Sequence, residues 1–128
     1  MPTVPIDGQI ILLTAAKASV PPARLPDLLE RTSKQVNADL ERYRREYERL
    51  YKGSTREAFL VSRDHWDRRG AHVGLTEREI AAVCRAHEEQ LLRVGRRTNR
   101  EVEFETALEI RDPVFVATKQ VCDEGWQR

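Results

Sequence analysis

The chain is 128 residues long, a length that favours one domain over two; 40% of it is hydrophobic, enough for one modest core, and 34% is charged. Its 22 basic residues nearly cancel its 21 acidic ones, leaving a net charge of +1, which excludes a polyanion-coating surface but still allows a local basic patch. No apolar run approaches the ~18 residues of a membrane span, and two cysteines cannot build a disulfide framework.

Met1-Pro2-Thr3-Val4-Pro5 offers no basic leader region, so a cytoplasmic, non-membrane setting is the expectation. Eighteen of the basic residues are arginine, whose planar fork grips carboxylates and phosphates through two hydrogen bonds.

In chain order, the first element reads as a short helix from Gln9 to Ser19 with Asp7 as its N-cap. Ile10, Leu13, Thr14 and Ala18 fall at helical spacing, and Pro21-Pro22 stops it. Pro26 then sits in the first turn of a second, long helix closed by Lys52-Gly53. Leu29, Val36, Tyr43 and Leu50 recur every seven residues, and Leu25, Leu40 and Tyr47 widen the stripe. Such a helix of about 26 residues would span about 39 Å. That is long for so small a domain, so Leu29, Val36, Tyr43, Tyr47 and Leu50 are candidates for a homodimer interface or a protein-docking face.

Ala58-Phe59-Leu60-Val61, between turn formers, predicts a strand over Glu57 to Ser62. Asp64 can cap a short helix from Trp66 to Val73, ended by Gly74. Thr76 with Glu79 forms a capping box that opens a further helix, burying Ile80, Val83, Cys84, His87, Leu91 and Val94, with Gly95 as its stop. Val102, Phe104, Thr106, Leu108 and Ile110 alternate with glutamates and read as a strand. Asp112-Pro113 turns the chain, and Val114-Phe115-Val116 returns as a second strand.

These elements predict a mainly α chain with a small antiparallel sheet (α+β). The central order of helix, strand, short helix, helix, strand, strand is that of a winged-helix domain over residues 1–118, preceded here by the N-terminal helix and with a loosely attached tail at 119–128. Gly70 and Gly74 fit the close crossing and the turn of a helix-turn-helix.

On that scaffold, Arg93, Arg96, Arg97 and Arg100 form an acid-free basic stretch able to hold several phosphates, with Arg78 and Arg85 on the recognition helix. A non-enzymatic, nucleic-acid-binding regulator is therefore the leading expectation. The alternative is a helical interaction or dimerisation module with no nucleic-acid role.

No cofactor and no metal are expected. Cys84 and His87 lie i,i+3 on the core face of one helix, and no paired ligand spacing accompanies them. Gly-x-Ser-x-Gly and phosphate-loop patterns are absent, so no catalytic residues are assigned. His65-Trp66 opens the short helix, where an aromatic–imidazole pair can pin the helix to the sheet or stack a base.

Pro5-Ile6-Asp7-Gly8, Leu13-Thr14-Ala15-Ala16-Lys17, Phe59-Leu60-Val61, His65-Trp66, Gly74-Leu75, Arg85-Ala86-His87-Glu88 and Phe104 to Arg111 together resemble a haloarchaeal family of small proteins with a domain of unknown function. The resemblance covers most of the chain to about Arg111 and implies no activity.

Overall fold

The computed structural model of the chain describes residues 4–118, and the expected tail at 119–128 lies outside the described residues. The elements are α1 (Gly8–Ala18), α2 (Arg24–Asn37), α3 (Leu40–Glu46), β1 (Glu48–Lys52), β2 (Arg56–Val61), α4 (His65–His72), α5 (Glu77–Thr98), α6 (Glu101–Leu108) and β3 (Asp112–Ala117). β2 runs between β1 and β3, antiparallel to both. The fold is thus α+β, mainly helical with one small antiparallel sheet. Among the described residues, no helix is long and apolar enough to cross a membrane.

β3 is buried along its whole length and β2 nearly so, which explains the unbroken apolar run from Ala58 to Val61. Phe59 and Phe115 form the core with Leu25, Leu28 and Leu29 of α2 and Leu91 of α5. The long α5 packs on α1, α2, α4, α6 and β3. Two polar anchors fix these layers: the Trp66 indole N–H donates to the Pro113 carbonyl at 3.0 Å, and the Phe115 amide donates to His87 Nδ1 at 2.9 Å.

The expected 26-residue helix is not continuous. It breaks at Ala38–Asp39, after which the chain forms the short α3 and then the edge strand β1. The break falls at Asn37-Ala38-Asp39, where asparagine and aspartate side chains have better uses than helix solvation. Asn37 Oδ1 accepts the Ala117 amide at 2.9 Å, and Asp39 accepts Arg69 at 2.7 Å.

The seven-residue stripe is therefore folded onto the chain's own core. Leu29 and Val36 are fully buried on α2, Tyr43 on α3 and Leu50 on β1, while Tyr47 is half-buried. An interface through Leu29, Val36, Tyr43 and Leu50 is corrected accordingly, because the side chains that would meet a partner are already packed inside one copy.

Residues 101–108 are helical and not extended, so the wing hairpin does not form. β3 is an edge strand, but its outer edge is taken by side chains: the Pro113 carbonyl accepts from Trp66, and the Phe115 and Ala117 amides donate to His87 and Asn37, leaving 102–110 no ladder to join. Glutamate favours helix, and Glu101 and Glu103 lie in the first turn, where the helix dipole welcomes acids. Only Phe104 of the alternating set is fully buried; Val102 and Ile110 are 76% and 70% exposed.

Gly95, expected as a helix stop, lies inside α5. A Cβ there would come 3.0 Å from both Glu101 Cα and Phe104 Cδ2, so its bareness lets α6 fold back closely. The helix ends at Asn99 in the left-handed region (φ 63), which asparagine tolerates.

Other local signals are realised. Thr76 and Glu79 make both hydrogen bonds of the capping box. Gly74 takes φ +79, and a Cβ on Gly70 would lie 2.3 Å from Ile80 Cγ1, so α4 and α5 cross at that glycine.

Candidate functional site

Helices α3 and α4 present matching faces to one cavity of about 340 Å3. Arg42, Tyr43 and Tyr47 line it from α3 and its C-cap; His65, Arg68 and Arg69 line it from α4. These positions share a face because residues three and four apart stack on a helix. Tyr43 Oη and His65 Nε2 are 2.6 Å apart and join the helices across the floor of the site. The Arg69 guanidinium lies 5.6 Å from the centre of the Tyr43 ring.

Three arginines line the cavity, and among the described residues no aspartate or glutamate does. Their acidic partners lie outside that lining: Arg69 meets Asp39 at 2.7 Å, Arg42 meets Glu46 at 3.2 Å and Arg68 meets Asp64 at 3.6 Å. The Arg42 and Arg68 pairs are exposed to water and hold their arginines weakly. Arg69 is mostly buried and better fixed.

Burial, helped by Arg69 and Arg68, pushes the His65 imidazole down to about 3. Burial pushes the Tyr43 phenol up to about 12 against the opposing pull of Arg69. At neutral pH the pair is therefore an uncharged imidazole and an intact phenol.

The arginines singled out from the sequence lie elsewhere. Arg93 and Arg97 reach the carboxylate of Asp7 at 3.3 and 3.8 Å, and Arg56 joins them at 3.1 Å. Asp7 thus anchors the N-terminal segment, and it makes no side-chain cap bond to α1. Burial works upward on its carboxyl, but the Gln90 hydrogen bond and the Arg56 guanidinium hold it below the usual range. Arg96 pairs with Glu101 at 3.5 Å, and Arg100 grips Glu103 through two bonds of 2.9 and 2.8 Å. Arg85 approaches Glu89 at 3.9 Å. Arg78 and Arg85 line a separate depression with Ala18, Ala81, Cys84 and Glu88. The basic stretch is thus divided between the N-terminal segment and α6.

Cys84, Glu88 and Asp112 bring their donor atoms within 4.8 Å of one another, the spacing of a three-ligand metal site. Cys84 and Glu88 are i,i+4 neighbours on α5, a relation visible in sequence; Asp112 arrives only through the packing of β3. Burial pushes all three groups toward their protonated forms, and Arg63 already places a cation 3.5 Å from Asp112. His87, expected in the core beside Cys84, is there, accepting the Phe115 amide.

Of the residues lining the cavity, the sequence alone marks Tyr43, Tyr47 and His65 but not Arg42, Arg68 and Arg69. The spacing of His65, Arg68 and Arg69 along one helix face is the signal that points to them. Comparisons with curated proteins and with solved structures return no match. The model of a family described as a domain of unknown function (DUF8048) matches residues 4–118, and the chain belongs to that family.

Proposed function

We propose that this domain is a non-enzymatic binding module whose ligand carries a phosphate group seated among Arg42, Arg68 and Arg69. The observation that carries the reading is three arginines lining one cavity, with no aspartate or glutamate in its lining among the described residues. Guanidinium forks match phosphate oxygens two at a time, and the charge of a phosphate suits several of them at once. A phosphate entering the cavity exchanges for Glu46 and Asp64 cheaply, because exposed ion pairs contribute little. The neutral Tyr43–His65 pair supports binding over catalysis, since neither group exchanges its proton near neutral pH.

A haloarchaeal origin, which the sequence resemblance suggests, and a cytoplasmic setting, expected from the absence of a basic leader region, belong to the same proposal.

The test is a titration of the protein with inorganic phosphate, followed by side-chain nitrogen resonances. Shifts centred on His65 and Arg69, lost in Arg68→Gln/Arg69→Gln, are expected. Shifts elsewhere, or none, would overturn the reading. So would duplex DNA binding that disappears in Arg96→Ala/Arg97→Ala/Arg100→Ala while the pocket variant binds normally, since phosphate contacts would then belong to the end of α5.

A further inference from the structure

We infer that the ligand of this pocket is a nucleoside monophosphate, its phosphate on the arginines and its base on the ring of Tyr47; the inference rests on the phosphate reading above. The cavity of about 340 Å3 falls within the ~300–1,000 Å3 of small-molecule sites. It leaves room for an organic body beside a phosphate.

The two tyrosines of the lining differ in how far the fold has used them. Tyr43 is buried, its ring lies 5.8 Å from Phe59, and its oxygen is bound to His65. Tyr47 is only half-buried; its ring lies 5.5 Å from that of Tyr43, and its hydroxyl has no hydrogen-bond partner among the described residues. One side of the Tyr47 ring thus packs toward Tyr43 and the core, and the exposed remainder lies in the same cavity as Arg42, Arg68 and Arg69. A planar base with a π-face is the chemistry that uses both. Base stacking on an aromatic side chain is tolerant of base identity and tightens binding by roughly five- to a hundredfold.

The experiment compares inorganic phosphate, ribose 5-phosphate and adenosine and uridine 5′-monophosphates by calorimetry on the full chain. Both nucleotides are expected to bind at least about fivefold more tightly than ribose 5-phosphate. Tyr47→Leu should erase that margin, the nucleotides binding no more tightly than ribose 5-phosphate to the same variant; Tyr47→Phe should retain it. Thermal unfolding checks that both variants fold, and the phenylalanine variant alone suffices if the leucine one does not, since loss of the margin there contradicts stacking. Equal affinity for ribose 5-phosphate and the nucleotides would overturn the base contact and leave the phosphate reading standing. No binding by any of the four would remove both.

Discussion

The Tyr43 hydroxyl and His65 Nε2 stand 2.6 Å apart and tie α3 to α4 inside the protein, so the floor of the arginine-lined cavity is itself part of the core. His65 Nδ1 has no partner among the described residues, which makes the Tyr43 bond the ring's one polar contact there. Tyr43→Phe keeps the ring in place and strands both nitrogens of a buried imidazole. Leaving a buried polar group unpaired costs about 1–3 kcal/mol. Urea unfolding should register a loss of that size at pH 7; an unchanged midpoint would show that the bond contributes nothing.

Stability should fall on mild acidification, well before the carboxylates titrate. Burial holds His65 and His87 neutral, each with its folded pKa pushed down to about 3, against about 6.5 in an unfolded chain. Between those values the unfolded state binds more protons, so stability is full above about pH 6.5 and declines as pH drops through the window. Each histidine steepens the decline by up to about 1.4 kcal/mol per pH unit. Asp7 and Glu57, whose carboxyls are held low by their hydrogen bonds and arginines, add a further loss at lower pH. Unfolding free energies at pH 7, 6 and 5 test this; a flat profile would contradict neutral burial, and His87→Gln should reduce the slope.

Paired glutamates in the seven-residue stripe should unfold the protein and not release a monomer. Val36 and Tyr43 are fully buried within one copy, and Val36 sits in an apolar cluster that offers a carboxylate no cation. An unpartnered buried charge at Val36 costs about 3–5 kcal/mol, and losing the buried Tyr43 ring adds a cavity cost of similar size; together they exceed what a domain of this size readily spares. Circular dichroism on Val36→Glu/Tyr43→Glu should show lost structure. A well-folded, smaller species in sedimentation would restore the interface reading of Leu29, Val36, Tyr43 and Leu50.

The legible parts of the chain are those decided by near neighbours. The Thr76–Glu79 capping box, the Gly70 crossing and the Gly74 turn each need only a few adjacent residues, and each is present. The stripe from Leu29 to Leu50 reads correctly as buried-type positions, but its periodicity points to the wrong cover. Its continuity depends on Asn37 and Asp39, whose partners Ala117 and Arg69 lie far along the chain. The alternation at 102–110 misleads for a similar reason: a strand needs a free edge, and the outer edge of β3 is capped by Trp66, His87 and Asn37, residues far away in sequence. The pocket is the hardest part to see. Arg42 with Glu46 and Arg68 with Asp64 are i,i+4 pairs that look like ordinary solvated faces, and only the docking of α3 on α4 turns them toward one space.

Two glycine substitutions should move stability in opposite directions. Gly95→Ala drives a methyl to 3.0 Å from the Glu101 backbone and the Phe104 ring, and the backbone cannot yield without shifting α6. Overpacking of this kind costs about 1–3 kcal/mol. Gly8 opens α1 with nothing within 4 Å of a built Cβ, so Gly8→Ala should gain up to about 1 kcal/mol from helix propensity and reduced unfolded-state freedom. Thermal melts of both variants check the pair. A neutral Gly95→Ala would mean that α6 does not pack where the close approach places it.

Glu46→Gln should tighten phosphate binding, the reverse of what loss of an ion pair does in a structural role. Arg42 is exposed and hydrogen-bonded to Glu46, and that carboxylate competes with any oxyanion for the same guanidinium. The competition is modest because water screens the pair. Removing the charge without shortening the side chain should therefore raise phosphate affinity by about two- to fivefold. Asp39→Asn should act the other way. Asp39 fixes the mostly buried Arg69 at 2.7 Å, so its loss frees a positioned donor more than it removes a competitor. Calorimetry with inorganic phosphate reads both variants. Tightening by Glu46→Gln with weakening by Asp39→Asn is the expected pattern. No effect from either would mean that Arg42 and Arg69 do not touch the ligand.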